Sequence, residues 1–277
     1  MTPQDASDLR PQVDADTPSL SRIFDYFLGG GRNFAADRTV AEKVAALVPG
    51  YGRFALENRA FLRRALALMI TAGIDQFLDL GAGVCSIRPV HDLVQAQQPD
   101  AKVLYVDRDP VVVAGLELIV AKDDPRTGVV QADLRQVDEV LDHAVTARLL
   151  DLSRPVGVLA GAVLHCLPAA DDPAEVLTEY HERLAPGSLL AVSHASREAL
   201  GLELSDAVQG CFSEAGITLI HRSEQQLTDL LGPWLPHPDG VVPLAWWRPD
   251  SLSLPSPERS LGHAVMADHR DERSGLA

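Results

Sequence analysis

Three acidic residues in this chain each stand at the end of a short apolar run. Asp79 sits in QFLDL (76–80), directly ahead of Gly81-Ala82-Gly83. Asp107 closes KVLYVD (102–107), and Asp133 with Leu134 closes GVVQAD (128–133). A glycine-rich turn between strand and helix lets backbone approach a nucleotide closely. A carboxylate at the end of the next strand can accept both vicinal hydroxyls of a ribose. At the third strand end, a carboxylate and a backbone N–H can read an adenine edge. Ala82, in the turn, Arg108, beside Asp107, and Ala162, at the fourth strand end, join the candidate contacts. The NAD fingerprint wants a third glycine where Ser86 stands, which weakens a pyrophosphate reading. An acid ahead of the glycines suits a ligand carrying an amino group and a sulfonium. A fourth apolar run ends in LHCLP, where His165 is the candidate general base, because imidazole titrates near neutrality.

The elements that must position these residues follow from periodicity. Three helices come first, over about 18–28, 36–47 and 53–72, the first opened by Thr17-Pro18 as cap and first helical position. From residue 74, strands at 76–80, 102–107, 128–133, 155–164 and 188–195 alternate with helices at 87–97, 110–121, 137–150 and 173–184. Such alternation predicts right-handed βαβ units and a parallel sheet, whose carboxyl edge is where ligands bind. Helices at 197–215 and 224–231 and a last strand at 240–247 complete the pattern, with Trp246-Trp247 read as packing residues. Residues 1–17 are expected to be disordered, and 250–277 are expected to form a flexible tail.

The remaining composition narrows the class. The 277 residues and 46% hydrophobic content suffice for one sizeable domain with an appended element. The net charge is −15, and the 24 Lys and Arg form no run, which argues against a nucleic-acid partner. Three scattered cysteines with no CxxC pair argue against a disulfide framework or a zinc site, and for a reducing compartment. The acidic N-terminus carries no apolar h-region, and the longest apolar stretch, 156–167, is too short to span a bilayer. A cytoplasmic location with no membrane partner is expected.

Taken together, SRIFDYFLGGGRNFAADR, NRAFLRR, FLDLGAG, VHDLVQ, YVDRDPVV, VQADLR, AVLHCLP, LAPGS with SHA, and WRPD resemble an actinobacterial family of S-adenosyl methyltransferases, formerly a domain of unknown function. That family lies within the class I S-adenosylmethionine-dependent methyltransferases. The resemblance covers roughly 19–250. It implies a Rossmann-like α/β sheet, mostly parallel with an antiparallel last strand, helices on both faces and an N-terminal helical cap (18–73) before the cofactor domain (74–249). It implies S-adenosyl-L-methionine as cofactor and a small molecule as methyl acceptor. Gly81 and Gly83 would bound the methionine portion, Asp107 the ribose, and Asp133 with the Leu134 amide the adenine. The chain departs from the usual loop at Cys85, where a third glycine is common.

Beside these stand residues of the N-terminal segment. Tyr26, Asn33, Phe34 and Arg59 are candidates for a lid or substrate contact, because three glycines followed by Arg-Asn-Phe exceed what ending a helix requires. Two rivals to a methyltransferase remain: a non-catalytic protein that holds the cofactor or its demethylated product, and an NAD-dependent oxidoreductase.

Overall fold

The computed structural model describes residues 14–84, 88–120, 124–249 and 260–270. Helices α1 (Leu20–Phe27), α2 (Ala35–Leu47) and α3 (Gly52–Thr71) precede any strand. The first begins at Ser19 rather than Thr17, and no side chain caps it. Its start is anchored by Asp37 of α2, which accepts from the Ser19 amide at 2.8 Å and from Arg22 Nε at 2.8 Å. That ion pair is almost fully buried, with exposures of 4% and 0%. Pairing of this kind is what allows two charges to leave water.

Strand and helix then alternate. They are β1 (Gln76–Leu80), α4 (Val90–Gln95), β2 (Lys102–Asp107), α5 (Pro110–Ile119), β3 (Thr127–Gln131), α6 (Val137–Leu141), α7 (Ala144–Leu149), β4 (Gly157–Gly161), α8 (Pro173–Arg183) and β5 (Leu189–Ala195). After them come α9 (Arg197–Leu200), α10 (Leu202–Glu214), α11 (Glu224–Leu230), β6 (Leu235–Pro236), β7 (Val242–Pro243) and β8 (Gly262–Asp268). Two expected helices are each divided. At 137–150 the break falls at His143, which caps the second piece through Val145 N. At 197–215 it falls at Gly201, whose φ of +73° no side-chain-bearing residue adopts readily.

The strands order as β3-β2-β1-β4-β5-β8-β6, with β7 also pairing β8. The first five are parallel, and β8 runs antiparallel to β5. This is the mostly parallel, Rossmann-like sheet with antiparallel strands at its C-terminal side that the motifs imply. Successive residues serve opposite faces, as strand geometry demands. Leu78, Leu104 and Val158 pack with α6, α7 and α8, whereas Phe77, Val103 and Leu159 pack against Phe61, Ala65 and Met69 of α3. A third cluster joins α1 and α2 (Ile23, Val40, Val44) to α10 (Val208, Phe212). The order reverses between β1 and β4, which opens the ligand crevice of such sheets there.

Two C-terminal expectations are corrected. The run 240–247 is not the last strand: it gives the two-residue β7 and a 3₁₀ turn at Leu244–Trp246. The long antiparallel strand is β8, inside the segment expected to be a flexible tail, and its Ala264–Ala267 are completely buried. Burial between β5 and β6 supplies the driving force that its flanking polar sequence conceals. Trp247 does pack, edge-on to Phe61 with ring centroids 5.1 Å apart. The expected disorder at 1–13 lies outside the described residues.

Candidate active site

A cavity of about 400 Å³ lies over the carboxyl ends of the strands, within the range of small-molecule sites. Its floor is Asp79 and Gly81–Val84 after β1, Val106–Asp109 at β2, Ala132–Leu134 after β3, and Gly161–Val163 at β4. Its roof is the entry to α1 (Pro18–Ser21, Phe24, Leu28) and one face of α3 (Ala55, Asn58, Arg59, Leu62). Those four α3 positions repeat at i, i+3, i+4 and i+7, the spacing of a single helical face.

The turn after β1 is built by its glycines. Gly81 and Gly83 both have φ of +66°. A Cβ on Gly81 would stand 2.2 Å from Val163 Cγ2, so the turn packs directly on the end of β4. The Gly83 amide donates to Asp107 Oδ2 at 2.9 Å, which ties the glycine turn to the second strand end. Cys85 and Ser86 lie outside the described residues.

Most charges in the cavity are already committed. Asp107 accepts from the Gly83 and Asp109 amides, and burial pushes its carboxyl up. These two bonds leave lone pairs on both oxygens for a ligand. Asp109 caps α5 through Val111 N at 2.8 Å. Asp133 is gripped by Arg135, with contacts at 3.0 and 2.6 Å, and that guanidinium holds its carboxyl down at about 2. Arg108 reaches the same carboxylate at 3.4 Å.

Asp79 and Arg59 are different. Neither side chain makes a hydrogen bond or ion pair with any described residue, yet both line the cavity. Desolvation raises the Asp79 carboxyl to about 7, opposed by the Arg59 charge and reinforced by Asp107. A carboxyl at the start of the glycine turn and a guanidinium on the roof thus border the cavity with no side-chain partner among the described residues.

At the end of β4, Ala162 has a left-handed φ of +54°. Strained non-glycine residues concentrate at functional sites. Its amide donates to Ser193 Oγ at 2.9 Å, and that hydroxyl donates to Asn58 Oδ1 at 2.5 Å. Sequence reasoning named Arg59 and passed over Asn58, whose role depends on a contact across 135 positions. It also passed over Ser21, Phe24, Cys166 and Gly216–Thr218, all in the cavity wall.

Four expected site residues are not brought to the cavity. His165 lies in a 3₁₀ turn (Leu164–Cys166) and is completely buried behind the wall. Phe24 and Phe54 sit 6.1 Å from its ring, and His194 5.7 Å. Desolvation drives its pKa well below the ordinary imidazole value, the neighbouring His194, His221 and Arg222 adding to the effect. Among the described residues neither ring nitrogen has a hydrogen-bond partner. His165 therefore does not face a bound acceptor as a base would have to. Tyr26 reaches only Glu42, at 3.4 Å. Asn33 donates to Asp25 Oδ2 and to the Gly30 carbonyl, and Phe34 stacks under the Arg22 guanidinium. The GGGRNF segment is thus wound around the Asp25 carboxylate, which a Cβ on Gly30 would strike at 2.0 Å. The cavity roof comes instead from residues 18–28 and one face of α3, and of the expected lid residues only Arg59 lines it.

The chain is similar to known proteins. A family model described as S-adenosyl methyltransferase matches residues 6–270. A Thermobifida fusca YX protein, crystallised as a candidate methyltransferase, is 33% identical with a TM-score of 0.87, covering 94% of this chain and 98% of its own. A DUF574 family protein from Streptomyces avermitilis MA-4680 is 27% identical with a TM-score of 0.87, covering 93% and 99%. The plantazolicin methyltransferase BpumL, solved with S-adenosylhomocysteine, is 12% identical with a TM-score of 0.51 over 90% and 95%, and shares the fold. No curated protein matches the chain. With 6–270 of its 277 residues matched, the chain belongs to the S-adenosyl methyltransferase family.

Proposed function

We propose that this chain catalyses methyl transfer from S-adenosylmethionine to a small molecule held between the strand ends and the N-terminal helices. The observation that carries the reading is the uncommitted pair Asp79 and Arg59. An α-amino acid presents one ammonium and one carboxylate, and this pair matches both beside the glycine turn. Asp107, one strand over, keeps lone pairs for a ribose diol, and Asp133 and Leu134 border the space beyond β3. When bound, S-adenosylmethionine supplies an electrophilic methyl group on sulfur.

The protein's part is largely placement. In-line displacement needs nucleophile and methyl aligned, and holding both reactants in register can supply much of the acceleration. Gly81 and Gly83, with no side chains, let the ligand approach the turn closely, Asp107 fixes rotation about the ribose, and the roof excludes water. Because the strand order runs β3-β2-β1-β4-β5, a nucleoside over β3 and β2 with its amino-acid end at β1 leaves the β4–β5 side for the acceptor. The small-molecule reading is supported by the enclosing roof and by the absence of a Lys and Arg run that could track a phosphate backbone. No described helix is long and apolar enough to cross a membrane. A cytoplasmic setting goes with this reading, supported by free cysteines at 166 and 211. Isothermal titration with S-adenosylhomocysteine, on wild type and Asp107→Ala, tests it. Affinity should fall at least about tenfold in the variant, and equal affinity would place the ribose elsewhere.

A further inference from the structure

The acceptor side of the cavity is unusual in its chemistry. Beyond β1 its wall is Phe24, Leu62, Ala162, Val163, Leu167 and Ile217, with Thr218, Cys166 and Asn58 as the polar members. Among the described lining residues of this half, no Asp, Glu, His, Lys or Tyr occurs. Cys166 is the one titratable group there, and burial pushes its thiol up to about 12, so it stays protonated and cannot take a proton near neutrality. His165, the nearest imidazole in sequence, is sealed behind Phe24 and Phe54.

Asn58 is set in one orientation by the chain behind it. Ala162 N–H donates to Ser193 Oγ, whose own hydrogen goes to Asn58 Oδ1. With its carbonyl occupied, the amide presents Nδ2, and that nitrogen has no partner among the described residues although Asn58 lines the cavity. Ser193 takes one lone pair of that carbonyl oxygen, and Nδ2 is the donor left to bond a carbonyl of the acceptor.

From these two observations, and resting on the methyltransferase reading above, we infer that the acceptor is a small, uncharged aromatic nitrogen heterocycle bearing a carbonyl, methylated on an unprotonated ring nitrogen, with Asn58 Nδ2 donating to the carbonyl. The ring-nitrogen lone pair forms the new N–CH₃ bond as the S–CH₃ bond breaks, and that bond's electron pair stays on sulfur. The positive charge moves from sulfonium to ring, and no proton is transferred. A phenol or alcohol would need a base at the point of attack, which this wall does not offer. Apolar walls suit a flat neutral ring, and a pre-oriented amide sets which atom faces the methyl.

Four probes test this: pyridine-3-carboxamide and quinoline-3-carboxamide, and the size-matched phenols 3-hydroxybenzamide and a hydroxynaphthamide. Each is titrated by calorimetry into protein saturated with S-adenosylhomocysteine, and each is offered with methyl-labelled S-adenosylmethionine. Asn58→Asp is the discriminating variant, because a carboxylate still accepts from Ser193 but cannot donate. The expected result is binding and ring-nitrogen methylation of at least one heterocycle and no methylation of either phenol. Heterocycle binding should weaken at least about tenfold in Asn58→Asp, with S-adenosylhomocysteine affinity within about twofold of wild type. Asn58→Leu, which loses both roles, should match the Asp variant in heterocycle binding. Methylation of a phenol, unchanged heterocycle binding in Asn58→Asp, or no binding of either heterocycle while S-adenosylhomocysteine binds would each overturn the inference. Failure of S-adenosylhomocysteine to bind at all would instead overturn the methyltransferase reading beneath it.

Discussion

Replacing Arg59 by Gln removes the one cavity cation that has no partner among the described residues, and its effect on ligands can be worked out. A charge-assisted hydrogen bond contributes about 1.5–3 kcal/mol, which is about ten- to a hundredfold in affinity. If Arg59 receives a carboxylate, S-adenosylhomocysteine should bind Arg59→Gln at least about tenfold more weakly. 5′-Methylthioadenosine has the same nucleoside but no amino-acid end, so its affinity should stay within about twofold. The pair of ligands makes the variant its own control for folding. Isothermal titration at pH 7.5 and low salt reads both constants. Equal weakening of both ligands, or of neither, refutes the assignment of Arg59 and removes half of the charge match on which the cofactor reading rests. The same logic fixes a pH dependence. Asp79 titrates at about 7 without ligand, and an ammonium ligand requires the ionised form. Affinity for S-adenosylhomocysteine should therefore fall toward about tenfold per unit as pH drops below 7, while 5′-methylthioadenosine shows no such fall.

Other consequences are open to simpler assays. The folded Asp79 carboxyl is raised from 3.8 to about 7, so its contribution to stability is present below about pH 4 and lost as pH rises through 7. Asp79→Asn should then raise the melting temperature of the ligand-free protein at pH 8, by an amount corresponding to on the order of a few kcal/mol, while weakening S-adenosylhomocysteine; a lower melting temperature would show that the ionised carboxylate is compensated. Arg22→Met leaves Asp37 buried without its ion-pair partner, and urea unfolding should show a loss of about 3–5 kcal/mol; a loss under about 1 would mean the pair does not anchor α1. His165→Leu exchanges a buried ring with two unpartnered nitrogens for an apolar side chain, so stability should hold or rise by about 1–3 kcal/mol and S-adenosylhomocysteine affinity should not change; loss of that affinity would return His165 to the site. Gly81→Ala must place a methyl group onto Val163 at a left-handed φ, and should cost about 2–4 kcal/mol in the same unfolding assay.

How far the sequence revealed this arrangement depends on the range of the forces involved. Strands β1, β2 and β5 read clearly because both faces are covered and nearly every residue must be apolar. Asp79, Gly81, Gly83, Asp107 and Asp133 read clearly because each stands directly at a strand end, so local order alone brings them to one edge. Strand β8 did not, because Gly262–Asp268 follows a Pro- and Ser-rich stretch and owes its structure to pairing with β5, some seventy positions away by register of Ala191 with Met266. Asn58 was hidden for the same reason, since nothing near it in sequence indicates Ser193. The GGGRNF segment misled in the opposite sense. Its glycines and Asn33 signal a special conformation, and the conformation serves the Asp25 carboxylate. His165 misled because a residue four places past a strand can turn either into the crevice or back into the core, and a 3₁₀ turn sends it back.

The central claim, that the cavity is an S-adenosylmethionine site, is tested most directly by thermal unfolding with S-adenosylmethionine, S-adenosylhomocysteine and NAD in turn. A ligand present at about 100 times its dissociation constant stabilises the folded state by about 2.7 kcal/mol. For a chain of 277 residues this corresponds to a rise in melting temperature of about 5 °C. Both sulfur ligands should give that rise and NAD none, whereas a rise with NAD and none with either sulfur ligand would contradict an S-adenosylmethionine site.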